Sequence, residues 1–130
     1  MYPKKASCFV WRAVQGSIPV TTALSHRGIH VDSTTCSACI GSEEESDHLL
    51  LTCPFATDVF KWIASWCRLD LRGIPTIEAL ILILASCGRS PKEKLCCLAI
   101  GYAAITGIWN ARNHRVFNSL FWFPWQRTIL

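Results

Sequence analysis

Apolar residues fall at helical intervals along most of the chain. Ala6, Phe9, Val10, Ala13 and Val14 repeat with that spacing, and Gly16 and Pro19 end the run. "TTALSHRG" reads as a short second helix, with Thr21 or Thr22 as its N-cap and Gly28 just beyond its end. Residues 31–45 lack periodicity and read as loop. Ser46 then caps a turn through Asp47–Thr52, with Asp47 near the positive end. Pro54 suits a first helical position, and Phe55, Val59, Trp62, Ile63 and Trp66 make one apolar face after it. "RGIP" at 72–75 breaks the chain, and Thr76 or Glu78 opens an apolar helix to about Cys87. Gly88 to Pro91 is a turn, followed by a long helix from Lys92 toward Asn113 and an aromatic tail, "FNSLFWFPWQ". Alternation of period two is scarce. The pattern predicts an all-α fold, a small helical domain with one irregular loop between helices.

Two stretches invite comparison with membrane spans. "ALILILAS" (79–86) is far too short, and "LCCLAIGYAAITGIW" (95–109) falls below the ~20 residues that cross a bilayer. Both read instead as a buried hairpin, with no membrane contact. Composition fits a packed domain: 130 residues, 51% hydrophobic, six tryptophans and six phenylalanines. A net charge of +4 and pI near 8.7 permit phosphate contact without the strong basic footprint of a dedicated nucleic-acid binder. Arg12 interrupts the apolar stretch Cys8–Val14, so the N-terminal residues do not read as a secretory signal. The expectation is an intracellular, reducing compartment, nuclear or cytoplasmic, in which the eight cysteines stay free.

The irregular loop carries the chemistry. It reads Cys36-x2-Cys39-x8-His48-x4-Cys53. A Cys-x2-Cys knuckle turns two sulfurs toward one point, and three thiolates with one imidazole form a closed tetrahedral set for Zn²⁺. No coordination position remains for water or substrate, so the pattern predicts one structural zinc and no catalytic metal. A redox Cys-x2-Cys would open a helix beside a βαβ pattern, which is absent. Cys8, Cys67, Cys87, Cys96 and Cys97 lie in apolar helical segments and read as small core residues. Cys36 and Cys39 do not, because serine and threonine surround them. His30 is an alternative fourth ligand to His48 on spacing alone.

Several features in fixed order resemble the zinc-binding domain that follows the polymerase in plant non-LTR (LINE-type) reverse transcriptases. These are "FVWRA", "IP" before a "T-x-x-x-L" helix, "RGI", the Cys-x2-Cys, "DHLLLTCPF" and a Trp-bearing helix. Further on, "IWNARNHRVF" (108–117) is similar to the "W-x-x-R-N-x-x-x-F" segment that follows that domain. The resemblance implies Cys36, Cys39, His48 and Cys53 as ligands. It divides the chain into a zinc-binding domain at 1–70 and a helical C-terminal extension at 71–130 packed on it.

No Tyr/Phe-x-Asp-Asp pair, spaced ribonuclease H carboxylates or nucleophile elbow is present, which argues against an enzyme. Glu43, Glu44, Glu45 and Asp47 read as a solvated acidic run. The family setting implies weak, salt-dependent RNA or DNA binding. Residues 36–60 carry a formal −5, so contact is expected elsewhere, at Lys4, Lys5, Arg12, Lys92, Lys94, Arg112 and Arg115. The competing expectation is a zinc-stabilised protein-interaction scaffold, meeting protein through the aromatic tail (Phe121, Trp122, Phe123, Trp125), or a retroelement remnant without function.

Overall fold

The computed structural model describes residues 4–120, with side chains from 7 to 117. The aromatic tail at 121–125 lies outside the described residues. Five helices are arranged in chain order: α1 (Lys4–Val14), α2 (Thr21–His26), α3 (Pro54–Cys67), α4 (Ile77–Ser86) and α5 (Pro91–Leu120). A single π-helical turn spans His48–Thr52. There is no strand among the described residues, only an isolated antiparallel bridge between Thr35 and Glu43.

One core joins the elements. Val10 and Ala13 of α1, Leu49 and Leu50 of the π-turn, Phe60 and Ile63 of α3, Leu80 and Leu84 of α4, and Ile105 and Ile108 of α5 meet in it. It draws on residues from both sides of position 70. The 4-3-4 spacing of Gly101, Ile105, Ile108 and Arg112 gives α5 one buried edge. At Gly101 a side chain would collide with Leu84, so α4 and α5 approach closely there.

Helix starts follow local chemistry. The Thr76 hydroxyl accepts from the Ala79 N–H at 3.1 Å and caps α4. Ser90 accepts from the Glu93 N–H, and Glu93 reaches back to the Arg89 N–H at 2.6 Å, a reciprocal cap on α5. α2 departs from expectation. Its N-cap is Val20, and the Thr21 N–H is satisfied by the distant Glu44 carboxylate at 2.8 Å.

Four further expectations are corrected. α5 runs to Leu120, and its Pro91–Phe117 stretch is, by length and composition, long and apolar enough to cross a membrane. Its packing on α1, α3 and α4, and the ion pair that Arg112 makes across the core, tie it into the domain. Nor is 95–109 wholly buried, since Leu95 and Ile100 are exposed. Of the five cysteines outside the cluster, Cys67 and Cys97 pack half-buried against the core as expected and Cys87 is half-buried, whereas Cys8 and Cys96 are exposed. On α3 the buried edge is Ala56, Phe60 and Ile63, while Phe55, Trp62 and Trp66 stand outward.

Candidate metal centre

The knuckle is built by backbone hydrogen bonds. The Cys36 N–H donates to the Ser42 carbonyl at 2.8 Å, the Ile40 N–H to the Cys36 carbonyl at 3.0 Å, and the Glu44 N–H to the Thr34 carbonyl at 2.7 Å. These bonds fold 34–44 back on itself and bring Cys36 and Cys39 to one side. Tight reversal forces Ile40 to φ 55°, a left-handed conformation that β-branched residues rarely adopt.

The other two ligands come from the π-turn. On an α-helix, positions five apart are rotated by about 140°. Here the Cys53 N–H donates to the His48 carbonyl at 2.7 Å, closing the wider turn and returning Cys53 beside His48. Asp47 does not serve the turn's positive end, as the sequence suggested. Its carboxylate accepts from the Ile77 N–H at 3.2 Å and ties the turn to α4.

The four ligand atoms lie within 4.8 Å of one another. Sγ of Cys36 and Sγ of Cys53 are 3.8 Å apart, and Sγ of Cys39 is 3.3 Å from Nε2 of His48. A tetrahedron with Zn–S of about 2.3 Å and Zn–N of about 2.0–2.1 Å has edges of about 3.8 Å (S···S) and 3.5 Å (S···N). The residues present fit zinc. With Nε2 directed at the sulfurs, Nδ1 of His48 meets the Thr52 hydroxyl at 3.4 Å, a contact that orients the ring. His30 lies outside the cluster, its imidazole 3.6 Å from Asp32.

Electrostatics divide the ligands. The Gly41 N–H, donating to Sγ at 3.5 Å, is the main cause holding the Cys39 thiol down to about 6. Burial pushes the Cys53 thiol up to about 11. The set holds one structural Zn²⁺, which neutralises two of the three thiolate charges and cross-links the knuckle to the start of α3.

The cations proposed from sequence scatter. The backbone of Lys4 and Lys5 lies in the first turn of α1, and the Arg12 side chain is exposed near its end. Lys92 and Lys94 are exposed at the start of α5, roughly 32–34 Å along the helix from Arg115 at 1.5 Å per residue. Arg112 is unavailable to phosphate. It is 3% exposed and bound to the Glu44 carboxylate at 2.6 and 3.1 Å. Glu44 is likewise no member of a solvated run. The extended backbone alternates, so Glu43 and Glu45 face solvent while Glu44 turns inward. A signal for Arg112 did exist in the sequence: it continues the Ile105, Ile108 stripe of α5, where a lone arginine calls for a buried acid.

Arg115 completes the link between α5 and the knuckle. Its Nε approaches the Ser37 hydroxyl at 3.4 Å, and its guanidinium lies 5.3 Å from the Phe55 ring centroid. The last turns of α5 therefore grip the metal loop from one side.

No curated protein and no solved structure matches the chain. Residues 1–62 match the family described as zinc-binding in reverse transcriptase. That match ends within α3, and its span holds all four ligands of the cluster. Residues 1–62 are thus a zinc-binding domain of the reverse-transcriptase type.

Proposed function

We propose that the chain is a non-catalytic accessory module whose zinc-held body assists nucleic-acid binding through a groove beside the knuckle. One observation carries this reading. A groove of about 1100 Å³ runs between α1, the 30–37 loop and the end of α5, and Arg12 and Arg115 both line it. Its wall includes Phe9 and Trp109, whose rings pack at 5.5 Å between centroids. Aromatic faces flanked by cations suit a single strand, whose bases stack while its phosphates meet the guanidinium groups. The exposed Glu43 and Glu45 lie outside the groove and repel phosphate there, while Asp32 on the groove's own rim lies 3.6 Å from His30.

Fluorescence anisotropy with a labelled single-stranded oligonucleotide of mixed sequence tests the reading. Two phosphate contacts at about 0.7 each give a log–log salt slope of roughly −1.4. Arg12→Glu should weaken binding several-fold and flatten that slope with zinc content intact, and Arg115→Glu should weaken it too while also loosening the hold of α5 on the knuckle. Unchanged affinity in both variants would end the proposal. A second reading, a protein-contacting scaffold, is favoured by the exposed indoles of Trp11, Trp62 and Trp66.

A further inference from the structure

α3 has a second apolar edge, along which Val59 leans half-buried on the core, Phe55 carries the Arg115 guanidinium, and two indoles stand exposed. Phe55, Val59, Trp62 and Trp66 follow at intervals of four, three and four residues, which aligns them on one stripe. Phe55 is 43% exposed, Trp62 65% and Trp66 71%. The two indoles lie edge to face at 6.3 Å.

We propose that this stripe is a self-docking surface whose occupant is α3 of a second copy of the chain, laid antiparallel. The spacing reads the same from either end, so an antiparallel copy meets every layer. Phe55 then faces Trp66 of the second copy, and Val59 faces its Trp62. Small opposes large in the central layers, as close packing of two helices requires. The contact is isologous and closes on itself as a two-fold dimer.

Charge selects the same orientation. The Arg115 guanidinium lies against Phe55, at the N-terminal end of α3. An antiparallel copy brings to it an indole face and the carbonyl end of the opposing helix, both of which attract a cation. A parallel copy would instead place two Arg115 side chains together.

Area sets the strength. Aromatic side chains bury roughly 150–250 Å² each, so these three, at their exposures, offer roughly 270–450 Å² per copy. A stable interface takes about 800 Å² per partner. The dimer is accordingly reversible, forming in the micromolar range or above. This inference shares Arg115 with the groove reading but does not rest on it, since the stripe itself lies outside the groove lining.

Sedimentation velocity on the full, zinc-loaded chain over a hundredfold concentration range tests it. The wild type should pass from monomer to dimer. Trp62→Ser, at an exposed position, should weaken dimerisation at least tenfold with zinc content unchanged. Val59→Trp and Trp62→Val should each weaken it, and the two combined should restore it, because the swap re-creates small against large across the two-fold. A monomer at every concentration would overturn the proposal. So would a dimer that survives Trp62→Ser, one abolished only by Trp122→Ser in the aromatic tail, or a size swap that fails to rescue. An oligonucleotide that quenches the emission of Trp62 in a chain that stays monomeric would also overturn it, by making the stripe a base-stacking surface.

Discussion

Glu44 and Arg112, 68 residues apart, form a two-bond ion pair sealed inside the domain: Nη2 donates to Oε1 at 2.6 Å and Nε to Oε2 at 3.1 Å. The same carboxylate accepts from the Thr21 N–H, the Glu44 carbonyl accepts from the Thr22 hydroxyl, and Nη1 of Arg112 donates to Asn113. The start of α2, the metal knuckle and the end of α5 thus converge on one side chain.

Removing one partner should be far worse than replacing both. Arg112→Ala strands a buried carboxylate and should cost roughly 3–5 kcal/mol. Glu44→Gln with Arg112→Met keeps an acceptor for the Thr21 N–H and should cost clearly less. Urea denaturation of the zinc-loaded variants measures both. A loss under about 1 kcal/mol for Arg112→Ala would mean that the pair does not hold the domain together.

Zinc content should follow the four ligands and no other cysteine. Cys39→Ser should lose the ion and unfold at least 34–55, since structural zinc contributes an apparent ~10–16 kcal/mol against a total domain stability of ~5–15 kcal/mol. Cys87→Ala should bind as the wild type does. Native mass spectrometry reads both results, and equal zinc in Cys39→Ser and wild type would sink the assignment.

Ile40 is a stabilising position for glycine. Its left-handed backbone costs an L-residue roughly 1–2 kcal/mol, and at 77% exposure its side chain contributes little packing. Glycine removes that cost but adds roughly 0.5–1 kcal/mol of chain entropy. Ile40→Gly should therefore gain about 0–1.5 kcal/mol and slow zinc loss to a chelator. Thermal melting and chelator kinetics report the two effects, and faster zinc loss would contradict the strain argument.

Zinc retention should fall in two stages as pH is lowered. Protons compete with the metal for thiolates. Cys53, pushed up to about 11 by burial, must release a proton on zinc uptake throughout the neutral range, so affinity rises with pH there. Cys39, held near 6, is already largely thiolate at pH 7 and takes up a proton only below about 6. The plot of affinity against pH should steepen below that point. Chelator competition across pH 5–8 measures it, and a flat profile would contradict the assigned thiolate chemistry.

Local features were legible in the sequence, and long-range ones were not. The helical intervals of α1 and α4, Thr76 as a cap and Pro54 at the start of α3 depend on neighbours within one turn. The ligand set was legible because its four members fall within eighteen positions. Glu44 was misread because a run of acids looks solvated until the alternation of an extended backbone is fixed by the Thr35–Glu43 bridge. Arg112 was misread for the matching reason, its partner being 68 residues away. The stripe of α3 was found, but spacing alone does not say which of two apolar edges faces the core.

The separation of Glu44 from Arg112 also imposes an order in time. The knuckle ligands lie close together, so they are all available soon after Cys53 emerges from a ribosome. Arg112 follows Glu44 by 68 residues, which at ~5–20 residues per second is a wait of roughly 3–14 s. During that interval the carboxylate has no guanidinium to meet and the apolar edge of α5 does not yet exist. The nascent chain is therefore able to load its metal well before it can close its core, and a ribosome that stalls in this window displays a zinc-bound, half-built domain.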